Sequence, residues 1–275
     1  MLRITGPGRA EVEPVPSHSP VDEHALCAAL EAAFAAEVTT VGWWVPVGDW
    51  AARRTAWRLG FTYAGVLRGW ADGADAWAFT LRSEDPREPR TRWLENPAIE
   101  GQGVRLRPLT VADAPRVVEG IGDADTQFWL SFMPRDPGAA EGAAYLETAK
   151  QRLADDHTVT WGFAATDDDR LLGAVGLYRL DSEPELGYWT HPDARGRGLT
   201  VRAARLALGH AFGTLGLSHV AAYAAAGNAA SLGVLESLGM RRVGVRRRGA
   251  TTGDGRPADL VGYDLLAEEY AASAG

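Results

Sequence analysis

The chain has 275 residues, one cysteine and a formal net charge of −8, with 46% hydrophobic and 23% charged residues. This length exceeds one average domain and falls short of two full ones, so we expect one complete domain and a smaller one. The composition disfavours nonspecific binding to nucleic acid or to a membrane, no apolar run approaches a membrane span, and a lone cysteine fits a reducing cytoplasm.

The N-terminal third contains a pattern that returns near the C-terminus. GDWAARRTAWRLGF (48–61) and GNAASLGVLESLGM (227–240) share Gly, Ala, Leu and Gly in register, 179 positions apart. HALCAALEAAF (24–34) matches RAARLALGHAF (202–212) with one residue of slack. This self-similarity indicates an internal repeat. Seven of the ten tryptophans precede residue 95, and we expect them to line an interface between the two units or to shape a pocket.

The segment 83–103 is rich in proline and charge, which predicts a linker with a domain boundary near residues 95–101. Beyond it, alternating apolar residues predict strands at 158–165 and 170–180. Further strands are predicted at 185–190, 219–225, 240–248 and 258–265, with a helix over 228–238 that Asn228 caps and Gly239 ends. Strands in succession, then strands alternating with helices, predict a mixed sheet with helices on both faces.

A glycine-rich basic loop lies between the strand at 185–190 and the following helical pattern. Amides at a helix N-terminus have no intrahelical partner and carry the positive end of the helix dipole, so they bind anions such as pyrophosphate. Gly196 and Gly198 permit close approach of a phosphate, and Arg195 and Arg197 add charge. An ordinary strand-to-helix turn is the alternative interpretation. The chain has neither a GxxxxGK[ST] run nor a GxGxxG motif between a strand and a helix.

Read as RxxGxT, residues 195–200 resemble the acyl-CoA pyrophosphate loop of the GNAT N-acetyltransferase superfamily. Two further motifs resemble its RimJ/RimL-like branch: VRLRPLTVADAPRVV (104–118), and GNAASLGVLESLGM (227–240) with Met240 in an aromatic position. The similarity covers roughly 101–268. It implies an α/β (α+β) GNAT fold, with a mixed, mostly antiparallel central sheet and helices on both faces.

The resemblance implies two domains, a complete GNAT domain at 96–275 and a partial, degenerate copy at 1–95. In the partial copy SHSPVD (17–22) stands at the loop position without glycine, and Asp49 and Ala52 stand where the complete copy has Asn228 and Ser231. A carboxylate and no glycine should repel a phosphate, so we predict a structural role for the first unit.

The resemblance also implies acetyl-CoA as the cofactor. The strand at 186–190 would offer backbone groups to the pantetheine arm, and the loop would hold the pyrophosphate. Thr200 departs from the usual Gly or Ala, and its hydroxyl could donate a hydrogen bond. Asn228 would contact the cofactor, although it could simply cap its helix. The implied cofactor-binding residues are Trp189, Thr190, Arg195, Gly196, Arg197, Gly198, Leu199, Thr200, Asn228 and Ser231.

For catalysis, the position at which many relatives carry a tyrosine acid holds Leu235. Ser231 could instead donate a hydrogen bond to the sulfur, or could bond to its own helix. Glu185 is the leading candidate for a general base on the amine, with a solvated strand-end glutamate as the alternative. His191 ranks below it, since a turn residue ahead of proline explains it as well. No metal site is expected.

We therefore predict an N-acetyltransferase that moves an acetyl group from acetyl-CoA to a primary amine by direct attack in a ternary complex. The acceptor would be a protein N-terminus or a small-molecule amine. Phe128, Trp129, Phe132 and Met133 lie in a predicted loop region at 123–138, where the resemblance implies the acceptor-binding wall. The alternative is an acyl-CoA-binding regulatory module without turnover. A cytoplasmic monomer or homodimer without nucleic-acid or membrane partners is expected.

Overall fold

A computed structural model describes residues 2–13, 21–71, 73–155 and 157–274. The chain divides into two compact units, Met1–Trp93 and Leu94–Gly275. Within the described ranges, no helix is both long and apolar enough to cross a membrane.

The first unit is a five-stranded sheet in the order β1-β2-β3-β5-β4. The strands β2 and β3 are parallel and joined through α1, and the other neighbours are antiparallel. Its strands are β1 (Leu2–Gly6), β2 (Arg9–Val12), β3 (Thr40–Pro46), β4 (Thr62–Ala71) and β5 (Ala74–Arg82), and its helices are α1 (Glu23–Ala35) and α2 (Trp50–Arg58).

Tryptophans fill the first unit's own core. Trp43 and Trp77 are almost completely buried, and Trp50 contacts Trp77 edge to face with 4.7 Å between ring centroids. The buried guanidinium of Arg53 lies 4.4 Å from the Trp77 ring. These tryptophans therefore stabilise the unit that contains them. Of the segment SHSPVD (17–22), positions 17–20 lie outside the described residues, and Asp22 caps α1 by accepting a hydrogen bond of 2.9 Å from the Ala25 amide.

The second unit is an eight-stranded sheet in the order β12-β13-β11-β10-β9-β8-β7-β6. β10 and β11 run parallel, and the remaining neighbours run antiparallel. The strands are β6 (Ile99–Gly101), β7 (Val104–Arg107), β8 (Val159–Ala165), β9 (Asp168–Tyr178), β10 (Glu185–Thr190), β11 (His219–Ala225), β12 (Arg241–Thr251) and β13 (Pro257–Leu266). The helices are α3 (Ala114–Gly122), α4 (Ala124–Trp129), α5 (Ala139–Ala154), α6 (Leu199–Gly209), α7 (Ala229–Ser237) and α8 (Ala267–Ala274).

Helices cover both faces of this sheet, as predicted. Along β10, alternate side chains point to opposite faces, and apolar side chains on both faces pack against helices. Leu186 faces a core formed with α6 and α7. Trp189 faces the other side and packs with α3 and α5. The fold is thus the mixed α/β architecture expected from the sequence, with β10 at the centre of two hydrophobic cores.

Two elements differ from the sequence prediction. The predicted linker 83–103 ends in β6, which pairs with β7, and Leu94 is buried in the core of the second unit. The region 123–138, predicted as loop, contains α4, whose first turn is capped by a 3.0 Å hydrogen bond from the Thr126 amide to Asp123. Both elements are too short to show a periodic pattern.

The two sheets share their strand connections and much of their backbone geometry. Asp49 and Asn228 cap α2 and α7 with φ, ψ of −84°, 76° and −85°, 72°, and the glycines that follow these helices, Gly60 and Gly239, both have φ 79°. In the first sheet Thr40 of β3 pairs with Arg82 of β5, and in the second His219 of β11 pairs with Leu266 of β13. Equivalent residues are therefore 179 positions apart in β3 and β11 and 184 positions apart in β5 and β13. The additional five residues lie at the end of the β12–β13 hairpin, where the second unit has one further strand pair, Thr251 with Pro257, and a longer turn.

Candidate active site

The strands β10 and β11 separate soon after they meet. Their register contains a single pair, Glu185 with Ala221, whereas β10 pairs with β9 along its whole length. The edge of β10 from Gly187 to Thr190 therefore lacks a neighbouring strand and can hydrogen-bond a ligand. A cavity of about 880 Å³ occupies this opening and is lined by both strands, a volume within the range of small-molecule sites.

The predicted loop lies between the end of β10 and the start of α6. Gly196 and Gly198 have φ of 70° and 67°, a backbone conformation that favours glycine. A Cβ at either position would meet no heavy atom within 4 Å, so the loop surface is open. The amides of residues 196–201 find no acceptor among the described residues. This arrangement of open glycines and unpaired amides fits a pyrophosphate.

Two predicted contributors to this loop are already engaged. The Arg195 guanidinium forms ion pairs with Asp123 and with Asp125, the latter at 3.2 Å, so it anchors the loop to α4. The Thr200 hydroxyl lies 2.6 Å from the Thr190 hydroxyl and joins the loop to β10. Arg197 forms no ion pair with the described residues and is exposed, so it is the loop arginine available to a phosphate. Leu199 is buried at the start of α6.

Asn228 and Ser231 meet β10 at the other side of the cavity. Asn228 Oδ1 accepts a 3.1 Å hydrogen bond from the Ser231 amide, so the helix-capping interpretation is correct, and Asn228 also lines the cavity. The Ser231 hydroxyl lies 3.0 Å from the hydroxyl of Tyr188. Leu235 is buried and lines the cavity, so α7 offers no hydroxyl at that position.

Glu185 lies where β10 begins and lines the cavity. Its carboxylate is 2.7 Å from the Arg179 guanidinium. Burial raises the pKa of Glu185 and outweighs the opposing effect of Arg179. A carboxylate with a raised pKa, open to a cavity, can accept a proton from a bound amine.

His191 has a different position from that of a proton shuttle. Its ring is buried, with Nδ1 2.8 Å from Asp193 and Nε2 3.1 Å from Glu119. These contacts attach the end of β10 to α3, and His191 does not line the cavity. Among the described residues, no group of three or more His, Cys, Asp and Glu side chains is arranged to hold a metal ion.

On the α5 side, Trp189 forms the wall of the cavity. Its indole nitrogen donates a 3.0 Å hydrogen bond to the Tyr145 hydroxyl, and its ring packs against Gly120, where a Cβ would lie only 2.1 Å away. Burial raises the pKa of Tyr145. The Trp189 side chain is thus held by α3 and α5, which leaves the backbone as the part of this residue available to a ligand.

A third wall joins the 128–135 segment to the turn after β12. The Ser131 hydroxyl donates a 2.7 Å hydrogen bond to the Thr251 carbonyl oxygen, and the Gly253 amide donates one of 2.7 Å to the Phe128 carbonyl oxygen. Of the four apolar residues predicted here, Trp129, Phe132 and Met133 line the cavity. Phe128 does not, and its ring packs edge to face on Trp129 at 4.7 Å.

Tyr188 is the residue that the sequence prediction missed. It lines the cavity, and its hydroxyl contacts α7 through Ser231. The alternation along ELGYWT shows that Tyr188 and Trp189 face opposite sides of the sheet, but nothing local indicates a partner 43 positions away. Arg179, the ion-pair partner of Glu185 at 2.7 Å, was missed as well.

Comparisons with known proteins agree with this geometry. The sequence profile of a family described as an acetyltransferase (GNAT) domain matches residues 104–241. The "Putative ribosomal N-acetyltransferase YdaF" of Bacillus subtilis (strain 168) is 32% identical over 176 residues, which cover 61% of this chain and 93% of that protein. The crystal structure of a "Probable acetyltransferase" is 29% identical with a TM-score of 0.55, covering 62% of this chain and 98% of that one. RimJ of Mycobacterium smegmatis in complex with CoA-disulfide shares the fold at 18% identity, with a TM-score of 0.54 and coverage of 62% and 89%.

Proposed function

Because the chain belongs to the GNAT acetyltransferase family, we propose that it transfers an acetyl group from acetyl-CoA to a primary amine. The transfer proceeds by direct attack of the amine on the thioester while both substrates are bound. The acceptor is a protein N-terminal amine or a small-molecule amine.

The observation that carries this proposal is the opening between β10 and β11 beside the amide-rich loop. An extended arm that enters the opening can hydrogen-bond the free edge of β10, from Gly187 to Thr190. At the mouth, the amides of 196–201 and the exposed Arg197 favour a pyrophosphate. A ligand with a phosphorylated end and a narrow hydrogen-bonding arm fits both features, and acetyl-CoA has both.

Glu185 supplies the base in this proposal. An alkylammonium has a pKa near 10, so few acceptor molecules carry a free amine at neutral pH. Glu185, directly or through water, takes a proton from the bound amine and passes it to solvent. A backbone amide of β10 near Trp189 stabilises the oxyanion that forms on the thioester carbonyl.

The test measures CoA thiol release from acetyl-CoA with a panel of acceptors, namely N-terminal peptides, polyamines and free amino acids. We expect release above background with at least one class. Tight acetyl-CoA binding without CoA release across the panel would instead favour an acyl-CoA-binding module. Leu235, which stands in place of a tyrosine, favours that alternative.

We further propose that the first unit is a partial copy of the acetyltransferase fold that holds no cofactor. The matched caps of α2 and α7 and the shared strand order support a common origin. Asp49 and Ala52 replace the groups that Asn228 and Ser231 present in the second unit. Isothermal titration of the full chain with CoA should then give one site per chain, and two equivalent sites would contradict the proposal.

A further inference from the structure

We propose that Tyr188 is the hydroxyl that hydrogen-bonds the leaving sulfur, with Ser231 as the residue that positions it. This inference rests on the proposed acetyl transfer. The family resemblance would place the hydroxyl that acts on the sulfur on α7, at the position of Leu235. In this proposal a residue of β10 supplies it instead.

The first argument is which of the two side chains belongs to a residue that lines the cavity. Tyr188, Asn228 and Leu235 line the cavity together, and Ser231 does not. The Ser231 Oγ lies 3.0 Å from Tyr188 Oη, and the Tyr188 hydroxyl donates a 3.2 Å hydrogen bond to the Ser231 carbonyl oxygen. A ligand in the cavity therefore has Tyr188, and not Ser231, among its neighbours.

The second argument concerns the protons of the pair. Either hydroxyl can be the donor in the Tyr188–Ser231 contact. When Ser231 donates to Tyr188 Oη, the phenol proton is donated either to the Ser231 carbonyl oxygen, 3.2 Å away, or to an atom in the cavity. Burial raises the pKa of Tyr188 to about 12, so the phenol keeps its proton at neutral pH and acts as a donor. A buried hydroxyl facing a developing anion forms a strong hydrogen bond.

The step balances as follows in the proposed transfer. The amine nitrogen bonds to the thioester carbonyl carbon, the carbon–sulfur bond breaks, and its electron pair remains on the sulfur. Tyr188 Oη–H donates a hydrogen bond to that sulfur as its charge develops. The nitrogen loses its surplus proton through Glu185 to water, and the released thiolate takes a proton from water.

The experiment compares Tyr188→Phe with Tyr263→Phe in the full chain. The control Tyr263 is buried, whereas Tyr188 is half-buried. The Tyr263 hydroxyl also makes one side-chain hydrogen bond, 3.2 Å to Glu236, and Tyr263 does not line the cavity. We expect Tyr188→Phe to lower kcat about 100-fold, the low end of the effect of removing one hydrogen-bond donor to a developing anion. The KM for acetyl-CoA and the Kd for CoA should stay within about threefold, and Tyr263→Phe should leave kcat unchanged.

Ser231→Ala provides a second, independent measurement. Its loss in kcat should be smaller than that of Tyr188→Phe, and the double variant should be no slower than Tyr188→Phe alone, because the serine acts through the phenol. A kcat of Tyr188→Phe above half that of the wild type, or fully additive losses in the double variant, would overturn the proposal. An inactive wild type would instead overturn the proposed function, so the two failures are distinguishable.

Discussion

The phosphate loop can be tested by placing a charge at Gly198. This residue precedes α6 with φ 67°, a conformation that asparagine and aspartate adopt more readily than most residues. A Cβ there would meet no heavy atom within 4 Å, so a small side chain fits without displacing its neighbours. Gly198→Asp and Gly198→Asn therefore carry the same backbone strain and nearly the same volume, and they differ in one negative charge.

The expected size of the effect follows from Coulomb's law. A carboxylate about 6 Å from a phosphate charge, at an effective dielectric constant of about 20, costs about 3 kcal/mol. Since every 1.4 kcal/mol corresponds to a tenfold change, Gly198→Asp should weaken CoA binding about 100-fold relative to Gly198→Asn. The asparagine variant should lose only the smaller strain contribution.

The assay is isothermal titration of both variants with CoA at low and high salt. Screening should reduce the difference between them as the ionic strength rises, while their melting temperatures stay equal. Equal affinities of the two variants for CoA at low salt would show that the loop does not contact the cofactor phosphates. That result would refute the inference that the unpaired amides and open glycines of the loop bind pyrophosphate.

Three further outcomes are expected. Burial raises the pKa of Glu185, and the reaction requires both this carboxylate and the acceptor amine to have lost a proton, so log kcat/KM for the acceptor should fall with slope two at low pH in the wild type. Glu185→Gln should be slower and should show slope one. An unchanged profile would exclude Glu185 as the base. The hydrogen bond from a neighbouring arginine lowers the pKa of Asp193 from 3.8 to about 2, so this carboxylate stabilises the fold above pH 3.8 and the contribution disappears as the pH falls towards 2; thermal melts of Asp193→Asn should lose less stability over that window than the wild type. Gly120→Ala forces a Cβ against the Trp189 ring and should cost about 1–3 kcal/mol in urea unfolding, whereas Gly233→Ala, a helix position with no heavy atom within 4 Å of the added carbon, should be neutral or stabilising.

Local chemistry made part of the site predictable. Gly198 and Gly196 were identifiable because their left-handed backbone depends on the residue itself. Asn228 was identifiable as a cap because its partner, the Ser231 amide, is three residues away. The strand at 219–225 had the predicted bounds because its apolar run is continuous.

The remaining features depend on contacts between distant parts of the chain. Arg195 pairs with Asp123, 72 positions away. Because this partner cannot be recognised from the sequence, the sequence predicted an unpaired arginine that would bind a phosphate. His191 is paired with Glu119 for the same kind of reason. Nothing in the sequence predicted the pairing of Tyr188 with Ser231, since strand and helix periodicity give the face of a residue and not its partner.

The turn between β12 and β13 determines how the shape of the cavity can change. It is the point at which the two matched sheets differ in length, and its Gly253 amide is bonded to the wall at Phe128. Lengthening a surface turn costs little free energy, whereas every strand around it keeps its register. The sheet and the turn that bounds the cavity are thus separate segments, so a change in the length of the turn can reshape the cavity without repacking either core.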